Sequence, residues 1–325
     1  MTDRFGRTAD YLRLSLTDAC NLRCIYCMLQ EMAFRPPDEL LQDDEIHRLV
    51  PVFARLGFRK FRLTGGEPTL REGLVDIVRR MTATPGVREV TMTTNGVRLA
   101  GLAGPLAGAG LRRINVRLDT LDPEKFRTMS RRDGLDAVLN GIRAAEAAGL
   151  SIKINAVIVR GYNETEDAVD LARLTLEHPW QVRFIEVMPI GRVGDAHIGR
   201  AVPEAELRST IERSLGPLTP AAGGPCDGEA RLYELVGARG RVGFITSVTR
   251  PFCGHCVRAR LTADGRLRPC LLHETEVDLL GPLRSGAADS ELQTLIRGCI
   301  RCKPEAHDLA RHIVPRNRVM SEIGG

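Results

Sequence analysis

Alternating polar and apolar residues recur in six short segments of the first 190 residues, and a segment with helical spacing follows each of them. The alternating segments predict strands over residues 11–17, 60–64, 89–94, 113–120, 151–159 and 181–188. The helical spacing predicts helices near residues 43–56, 71–82, 98–109, 134–148, 165–176 and 203–214. Because strands that alternate with helices form parallel sheets with right-handed crossovers, we predict an α/β protein whose six units curl into an open barrel.

One face of the predicted strands is polar. In the first strand Leu12, Leu14 and Leu16 point to one side, and Arg13 and Ser15 point to the other. The same polar face continues in the later strands with Arg62, Thr64, Thr91, Thr93, Asn115, Arg117, Asp119, Lys153 and Asn155. The apolar face is expected to pack on helices, whereas buried polar groups are costly unless they find partners. We therefore predict a barrel with a polar, cationic interior that binds a ligand.

The rhythm of strands and helices stops near residue 216. Gly216-Pro217 and the segment 220–228 have the composition of a loop or linker. We predict two regions: the barrel in residues 1–216 and a smaller α+β region in residues 217–325. The smaller region is predicted to contain strands over 231–236 and 241–246 and helices near 288–298 and 303–312.

Composition excludes several classes of protein. The 325 residues carry a net charge of +5, which is too mild to indicate nucleic-acid binding. No apolar segment reaches the ~18 residues of a membrane span, and the polar N-terminus has no secretion signal, so we expect a cytoplasmic protein. The chain has no Gly-Lys-Ser/Thr step of a P-loop GTPase and no G-x-G-x-x-G nicotinamide site after a strand.

Three cysteines follow the first predicted strand in the pattern C-x3-C-x2-C: Cys20, Cys24 and Cys27. The carboxyl end of a barrel strand is where the active sites of such folds lie. Three thiolates on one loop can bind three irons of a cubic iron–sulfur cluster and leave the fourth iron open to a small molecule. A zinc site is disfavoured because it needs four ligands, and no histidine lies nearby.

A second set of three thiols, Cys253, Cys256 and Cys270, lies in the smaller region. On spacing alone a zinc site is favoured here, because His273 or His255 could serve as a fourth ligand. The remaining three cysteines are Cys226, Cys299 and Cys302. For Cys299 and Cys302, one helical turn apart, incidental thiols are favoured over a redox or metal role.

The first triad, with the aromatic Tyr26 before its last cysteine, resembles the radical S-adenosylmethionine (SAM) superfamily. The segment Thr64-Gly65-Gly66-Glu67-Pro68 is similar to the GGEP segment of that superfamily. The second triad and the terminal Gly324-Gly325 narrow the resemblance to the GTP 3′,8-cyclase family of molybdenum cofactor biosynthesis. It runs from about residue 10 to the end, through segments at 12–18, 93–96, 153–157, 183–188 and 256–260.

The resemblance implies a partial, TIM-like (βα)6 radical SAM barrel and a role for each matching residue. Cys20, Cys24 and Cys27 would hold the [4Fe–4S] cluster that binds SAM, and Cys253, Cys256 and Cys270 would hold a second [4Fe–4S] cluster that binds the substrate. The SAM contacts would be Tyr26, Gly66, Arg117 and Met188. The GTP contacts would be Arg13, Arg62, Thr93, Lys153, Arg258, Ala259 and Arg260, of which Arg258 and Arg260 would also be catalytic.

Two positions need comment. The family usually has a serine that contacts SAM where this chain has Arg117, so Arg117 would bond the SAM carboxylate or ribose, or pair with Asp119. Arg183 belongs to one of the matching segments, but simple alternation places it on the face opposite Glu186 and Met188.

The implied reaction converts GTP to (8S)-3′,8-cyclo-7,8-dihydroguanosine 5′-triphosphate, the first step of molybdenum cofactor biosynthesis. A 5′-deoxyadenosyl radical derived from SAM would abstract the hydrogen from C3′ of GTP, and C3′ would then attack C8. The implied partners are a flavodoxin- or ferredoxin-like electron donor and, downstream, cyclic pyranopterin monophosphate synthase; a homodimer is compatible with the resemblance. The C-terminal Gly-Gly tail is expected to enter the site, since glycine allows close approach.

Two alternatives stay open. One is another radical SAM enzyme with an auxiliary cluster, such as a peptide maturase. The other is a non-catalytic iron–sulfur or zinc protein that binds nucleotides or partners. Metal analysis separates these classes, because two cubic clusters contain about eight irons per chain.

Overall fold

The computed structural model describes residues 1–221, 229–311 and 313–324 and gives an α/β protein built on one mixed sheet. The strands that carry the barrel are β1 (Tyr11–Ser15), β2 (Lys60–Thr64), β3 (Glu89–Thr94), β4 (Arg113–Arg117), β5 (Ser151–Ile158) and β6 (Gln181–Glu186). The later strands are β7 (Thr219–Pro220), β8 (Arg231–Glu234), β9 (Arg241–Ile245), β10 (Arg258–Leu261), β11 (Arg266–Arg268) and β12 (Val277–Asp278).

Helices follow most of the barrel strands and cover the apolar face of the sheet. They are α1 (Asp43–Arg55), α2 (Leu74–Ala83), α3 (Ala103–Gly108), α4 (Pro123–Ser130), α5 (Leu135–Ala147), α6 (Glu166–Glu177), α7 (Gly191–Gly194) and α8 (Glu204–Leu215). The C-terminal helices are α9 (Leu280–Arg284), α10 (Asp289–Arg301) and α11 (Met320–Ile323). Among the described residues, no helix is both long enough and apolar enough to cross a membrane.

The six barrel strands pair in chain order and all run parallel. The C-terminal region then extends this sheet on both sides. Strand β10 pairs in parallel with β1, and β9 pairs in parallel with β6. The sheet ends at β12 on one side and β7 on the other, so it curls without closing. The predicted open barrel is confirmed, whereas the boundary at residue 216 stays a prediction.

The core lies between the sheet and its helices. Leu12 and Leu14 of β1 and Phe61 and Leu63 of β2 are almost fully buried there, as the alternating pattern predicts. Fully burying one such side chain contributes about 1.5–3 kcal/mol relative to its exposed state. The apolar face therefore fixes the register of each strand, and with it the residues that point into the barrel.

Several sequence predictions need correction. The predicted helix at 303–312 is wrong: within the described part of that segment only a 3-10 turn at Leu309–Arg311 forms, and Pro304 interrupts the helical spacing. The strand predicted over 113–120 ends at Arg117. The short helices α4 and α9 and the strands β10 to β12 were not predicted, because each is too short to show a periodic pattern. Most of the linker predicted at 220–228, and Cys226 with it, lies outside the described residues.

Candidate functional site

Both thiol triads line one cavity inside the curl of the sheet. Cys20, Cys24 and Cys27 lie at the carboxyl ends of the barrel strands, and Cys253, Cys256 and Cys270 line the same cavity from the C-terminal region. The cavity wall also includes residues of the polar strand face: Arg13, Arg62, Thr93, Arg117, Asn155, Arg183, Arg258 and Arg260. The fold thus brings two distant groups of cysteines and a set of arginines to one space.

The first triad lies on the loop after β1, and neighbouring elements hold this loop in place. The backbone N–H groups of Arg23 and Ile25 donate to the carbonyls of Ser130 (2.8 Å) and Met129 (2.9 Å) at the end of α4. The Cys20 sulfur accepts from the backbone N–H of Leu22 at 3.4 Å and lies 3.8 Å from the amide nitrogen of Asn95. Helix α4, which sequence analysis missed, therefore supports the triad.

Burial keeps the free thiols of this triad protonated. It raises the pKa of Cys24 to about 12 and the pKa of Cys27 well above its ordinary value. Iron binding takes place at thiolates, so cluster assembly must release these protons. Each of the eight cysteines among the described residues has a free thiol.

The glycine pair after β2 packs against the backbone of the cysteine loop. The N–H of Gly66 donates to the Thr17 carbonyl at 2.7 Å, and a Cβ at Gly66 would overlap the carbonyls of Asp18 and Ala19. Gly65 has a φ of +142°, a backbone conformation that residues other than glycine rarely adopt. The two glycines are thus required because they leave room for the backbone of the loop that carries Cys20. Gly66 also lines the cavity.

Glu67 stabilises the same turn. Its buried carboxylate accepts from the hydroxyls of Thr69 and Thr94, both at 2.7 Å, and from the backbone N–H of Asn95 at 2.6 Å. Burial raises the pKa of Glu67, and these hydrogen bonds oppose that shift. Its hydrogen bonds go to hydroxyl and backbone groups, so Glu67 braces β2 against β3 instead of pairing with an arginine of the cavity.

Arg117 pairs with Asp119 and also contacts the first triad. Its Nε donates to Asp119 Oδ2 at 2.7 Å, and its Nη1 donates to the sulfur of Cys24. The Tyr26 hydroxyl donates to the same carboxylate oxygen at 2.7 Å, and the guanidinium lies over the Tyr26 ring, 5.3 Å from its centre. The expected ion pair between Arg117 and Asp119 is present, and the contact of Arg117 with SAM stays a prediction.

The second triad lies on the loop at Cys253–His255 and just after β11. Burial acts to raise the pKa of Cys256, but the positive charges of Arg258 and Lys303 outweigh it and lower the pKa to about 7. His273 Nδ1 contacts the Thr275 hydroxyl at 2.8 Å, and His255 is exposed. Neither histidine lines the cavity with the three thiols.

A row of cations crosses the sheet below the two triads. Pairing of the strands places Arg260 beside Arg13, and Arg13 beside Arg62. Burial, together with the charges of Arg258 and Arg62, lowers the pKa of Arg13 to about 10. Burial and the neighbouring Arg62 lower the pKa of Arg183 to about 9. Arginines rarely lose their proton in proteins, so these shifts mark a place where an anion would be strongly stabilised.

Glu229 is the carboxylate that faces this row, and sequence analysis missed it. It forms an ion pair with Arg258 and lies 3.5 Å from Arg13. These positive charges lower the pKa of Glu229 despite its burial. No periodic pattern marks Glu229, since it follows a linker, and its role is visible only in three dimensions.

The other predicted residues take varied positions. Thr93 and Met188 line the cavity, whereas Lys153 is buried on the interior face without lining it, and Ala259 lies in the core on the opposite face. Arg183 lines the cavity together with Glu186 and Met188. Alternation separates Arg183 from the latter two, but it does not extend to Met188, because β6 ends at Glu186.

The C-terminal tail enters the barrel. The Gly324 carbonyl accepts from Arg260, and a Cβ at Gly324 would overlap the hydroxyls of Ser15 and Thr64. Gly324 has a φ of +79°, in the left-handed region that favours glycine. The expected approach of the tail to the site is present up to Gly324, and Gly325 lies outside the described residues.

Comparison with known proteins defines the class first. Residues 14–174 match the family model of the radical SAM superfamily, and residues 180–309 match the Molybdenum Cofactor Synthesis C model. A structure of Streptococcus suis SuiB bound to precursor peptide SuiA covers 91% of this chain and 67% of its own, with a TM-score of 0.61 and 16% identity. Methylornithine synthase covers 89% of this chain and 86% of its own, with a TM-score of 0.53 and 17% identity. The fold is that of a radical SAM protein.

Full-length relatives then define the family. The GTP 3′,8-cyclases of Pelotomaculum thermopropionicum and Moorella thermoacetica are 46% and 45% identical to this chain over the whole of both sequences. The GTP 3′,8-cyclase of Rhodopseudomonas palustris is 44% identical over 100% of this chain and 96% of its own. This chain belongs to the GTP 3′,8-cyclase family of radical SAM enzymes.

Proposed function

We propose that this protein cyclises GTP to (8S)-3′,8-cyclo-7,8-dihydroguanosine 5′-triphosphate, the first step of molybdenum cofactor biosynthesis. The observation that carries this proposal is the single cavity that both thiol triads share with Arg13, Arg62 and Arg258. A triphosphate matches the buried arginines in charge and in hydrogen-bonding geometry. Membership of the family and the match to the Molybdenum Cofactor Synthesis C model support the same conclusion.

The donor atoms fit iron–sulfur clusters at both triads. Each triad offers three soft thiol ligands to a cavity where further space remains for a small molecule. Cys20, Cys24 and Cys27 would hold the SAM cluster, and Cys253, Cys256 and Cys270 would hold a second [4Fe–4S] cluster. When bound, the SAM cluster and SAM supply the radical chemistry of the superfamily.

The side chains of the cavity bind and orient the two small molecules. Tyr26, Gly66, Arg117 and Met188 would surround SAM beside the first triad. The triphosphate would be held, and the ribose positioned, by four arginines: Arg13, Arg62, Arg258 and Arg260. Thr93 lines the wall of the same cavity. Gly324 fills the space beside Ser15 and Thr64 and thereby helps to exclude water. Lys153 lies buried on the same interior face as the arginines.

The setting of the reaction follows from its chemistry. The cluster needs an external one-electron donor, for which a flavodoxin- or ferredoxin-like protein is suitable, and the product would pass to cyclic pyranopterin monophosphate synthase. We place the protein in the cytoplasm, because a reducing compartment keeps this many thiols free.

The decisive experiment is anaerobic incubation of the iron-loaded protein with SAM, dithionite and GTP. We expect 5′-deoxyadenosine to form only when GTP is present, together with the cyclised nucleotide, detected by mass spectrometry. ATP in place of GTP serves as the control. Equal amounts of 5′-deoxyadenosine with and without GTP would contradict the proposal, as would about four irons plus one zinc per chain instead of about eight irons.

A further inference from the structure

Lys303 is a buried lysine to which sequence analysis gave no role. Its side chain lines the cavity and is 2% exposed. Its ammonium donates to the carbonyl of Arg258 at 2.7 Å and to the carbonyl of Pro269 at 2.6 Å. A buried ammonium is expensive unless such partners satisfy it, so this geometry is strongly specified.

These two carbonyls belong to the segments that carry two ligands of the second triad. Arg258 is two residues beyond Cys256 and begins β10, and Pro269 directly precedes Cys270. The backbones of these two segments pair as β10 and β11, where Arg260 lies opposite Arg268. At Arg258 and Pro269, outside this pairing, the ammonium of Lys303 connects the two segments.

The third cysteine is tied to the same place by a second cation. Arg7 donates through Nη1 to the carbonyl of Cys253 and to the carbonyl of Glu305, both at 2.8 Å. Its Nη2 donates to the carbonyl of Pro304 at 2.6 Å. Every segment that bears a ligand of the second triad is thus connected, through Arg7 or Lys303, to residues 303–305.

The charge of Lys303 also faces the thiols. Lysine has three N–H donors, and two of them are used on the two carbonyls. The side chain of Lys303 lines the cavity together with Cys256 and Cys270. A buried positive charge beside a cluster stabilises its reduced, more negative state.

We propose that Lys303 is the positioning residue of the second cluster: its ammonium holds the backbone segments that carry Cys256 and Cys270 at the required separation and supplies the positive charge that faces the cluster. This inference rests on the proposed second cluster. It assigns to residues 303–305 the role of an anchor, in place of the helix predicted there.

The test uses the full chain with Cys20, Cys24 and Cys27 all replaced by alanine, so that only the second triad can take up iron. In this parent chain we compare Lys303→Met, Lys303→Arg and, as a matched control, Lys60→Met at an exposed lysine of β2. Iron per chain is measured after anaerobic reconstitution and again after exposure to a chelator. The reduction potential is measured by a redox titration followed by electron paramagnetic resonance.

We expect about four irons in the parent and in Lys60→Met, and at least tenfold faster loss of iron to the chelator in Lys303→Met. We also expect the equilibrium constant for reduction of the second cluster to be at least tenfold smaller in Lys303→Met than in the parent. For one electron, this lowers the reduction potential by at least 59 mV. Lys303→Arg keeps the positive charge, so the reduction potential of its second cluster should stay within 59 mV of the parent value. A purely structural lysine would change iron retention without changing the potential.

Equal chelator resistance and an equal potential in the parent and Lys303→Met would overturn the inference while leaving the second cluster intact. A parent chain that binds zinc or no iron would instead overturn the second cluster, and the role of Lys303 with it.

Discussion

Arg117 shows what one residue of the polar strand face does in the folded protein. Alternation along β4 correctly predicts that its side chain points into the barrel. The pattern cannot select its partner, because Asp119 and a bound SAM would both lie on that side. The structure places the guanidinium between Asp119 and the sulfur of Cys24, so Arg117 connects one thiol of the first triad to a buried carboxylate.

Replacing Arg117 by methionine should destabilise the metal-free protein. Asp119 is 1% exposed, and without Arg117 only the Tyr26 hydroxyl and the Val157 N–H, among the described residues, remain to satisfy its charge. Loss of one partner of a buried pair costs about 3 kcal/mol. Urea denaturation of the metal-free protein measures this change. The double variant Arg117→Met with Asp119→Asn should recover part of the loss, and an undiminished loss would show that the carboxylate charge is not the cause.

Lys153 should make the stability of the metal-free protein depend on pH. Burial, with the charges of Arg183, Arg113 and Arg62, lowers the pKa of Lys153 to about 6 in the folded state, against 10.5 as its ordinary value. Between these values the unfolded chain binds more protons, so the contribution of Lys153 to the free energy of unfolding rises with pH. The unfavourable contribution is full below pH 6, diminishes as the pH rises above 6, and is lost above pH 10.5.

The measurement compares urea unfolding of the natural chain and Lys153→Met at pH 7, 8 and 9. The free energy of unfolding of the natural chain should increase, relative to that of Lys153→Met, as the pH rises. A difference that stays constant across this range would show that Lys153 keeps its proton in the folded protein.

At the scale of elements, the turns after the strands determine the site more than the strands do. The sequence predicts β1 and β2, and the pair Gly65-Gly66 after β2, from local patterns alone. It does not reveal that the glycines pack against the backbone of residues 17–19, since that contact joins two loops that are distant in the chain. Local rules predict an element; the register between elements depends on the whole core.

Substitution of Gly66 by alanine should remove the first cluster and leave the rest of the fold in place. The added Cβ would overlap the carbonyls of Asp18 and Ala19 and displace the loop that carries Cys20. We expect iron per chain to fall by about four, the content of one cubic cluster, with an unchanged circular dichroism spectrum.

Gly298→Ala is the matched control for this variant. Gly298 lies in α10, and a Cβ there would have no neighbour within 4 Å, so it should keep all its iron and gain up to about 1 kcal/mol of stability. Full iron content in Gly66→Ala would mean that the loop tolerates the extra atom.

At the scale of the whole molecule, the C-terminal region contributes to the site from both edges of the barrel sheet. The six-unit barrel was predictable because each unit repeats one local pattern. The position of β10 beside β1 was not, because β10 has four residues and β1 is more than 240 residues away in the chain. The two triads therefore could be recognised in the sequence, but their shared cavity could not.

The C-terminal tail provides a test at this scale. Gly324→Ala combines strain at a φ of +79° with overlap against Ser15 and Thr64, and it disturbs the carbonyl that accepts from Arg260. We expect turnover of GTP to fall at least tenfold while the iron content stays the same. Gly104→Ala, at an open position in α3, should behave like the natural chain. Unchanged turnover in Gly324→Ala would show that the C-terminal tail does not contribute to the reaction.

The pairing of β10 with β1 has a consequence for biosynthesis. During translation the ribosome completes all six barrel units before it adds the segment that brings Arg258 and Arg260 beside Arg13. A nascent chain that stops short of β10 lacks Cys270 of the second triad and the cavity arginines Arg258 and Arg260. Assembly of the complete nucleotide chamber is therefore a late event, and we expect products that lack β10 to be inactive whatever metal they acquire.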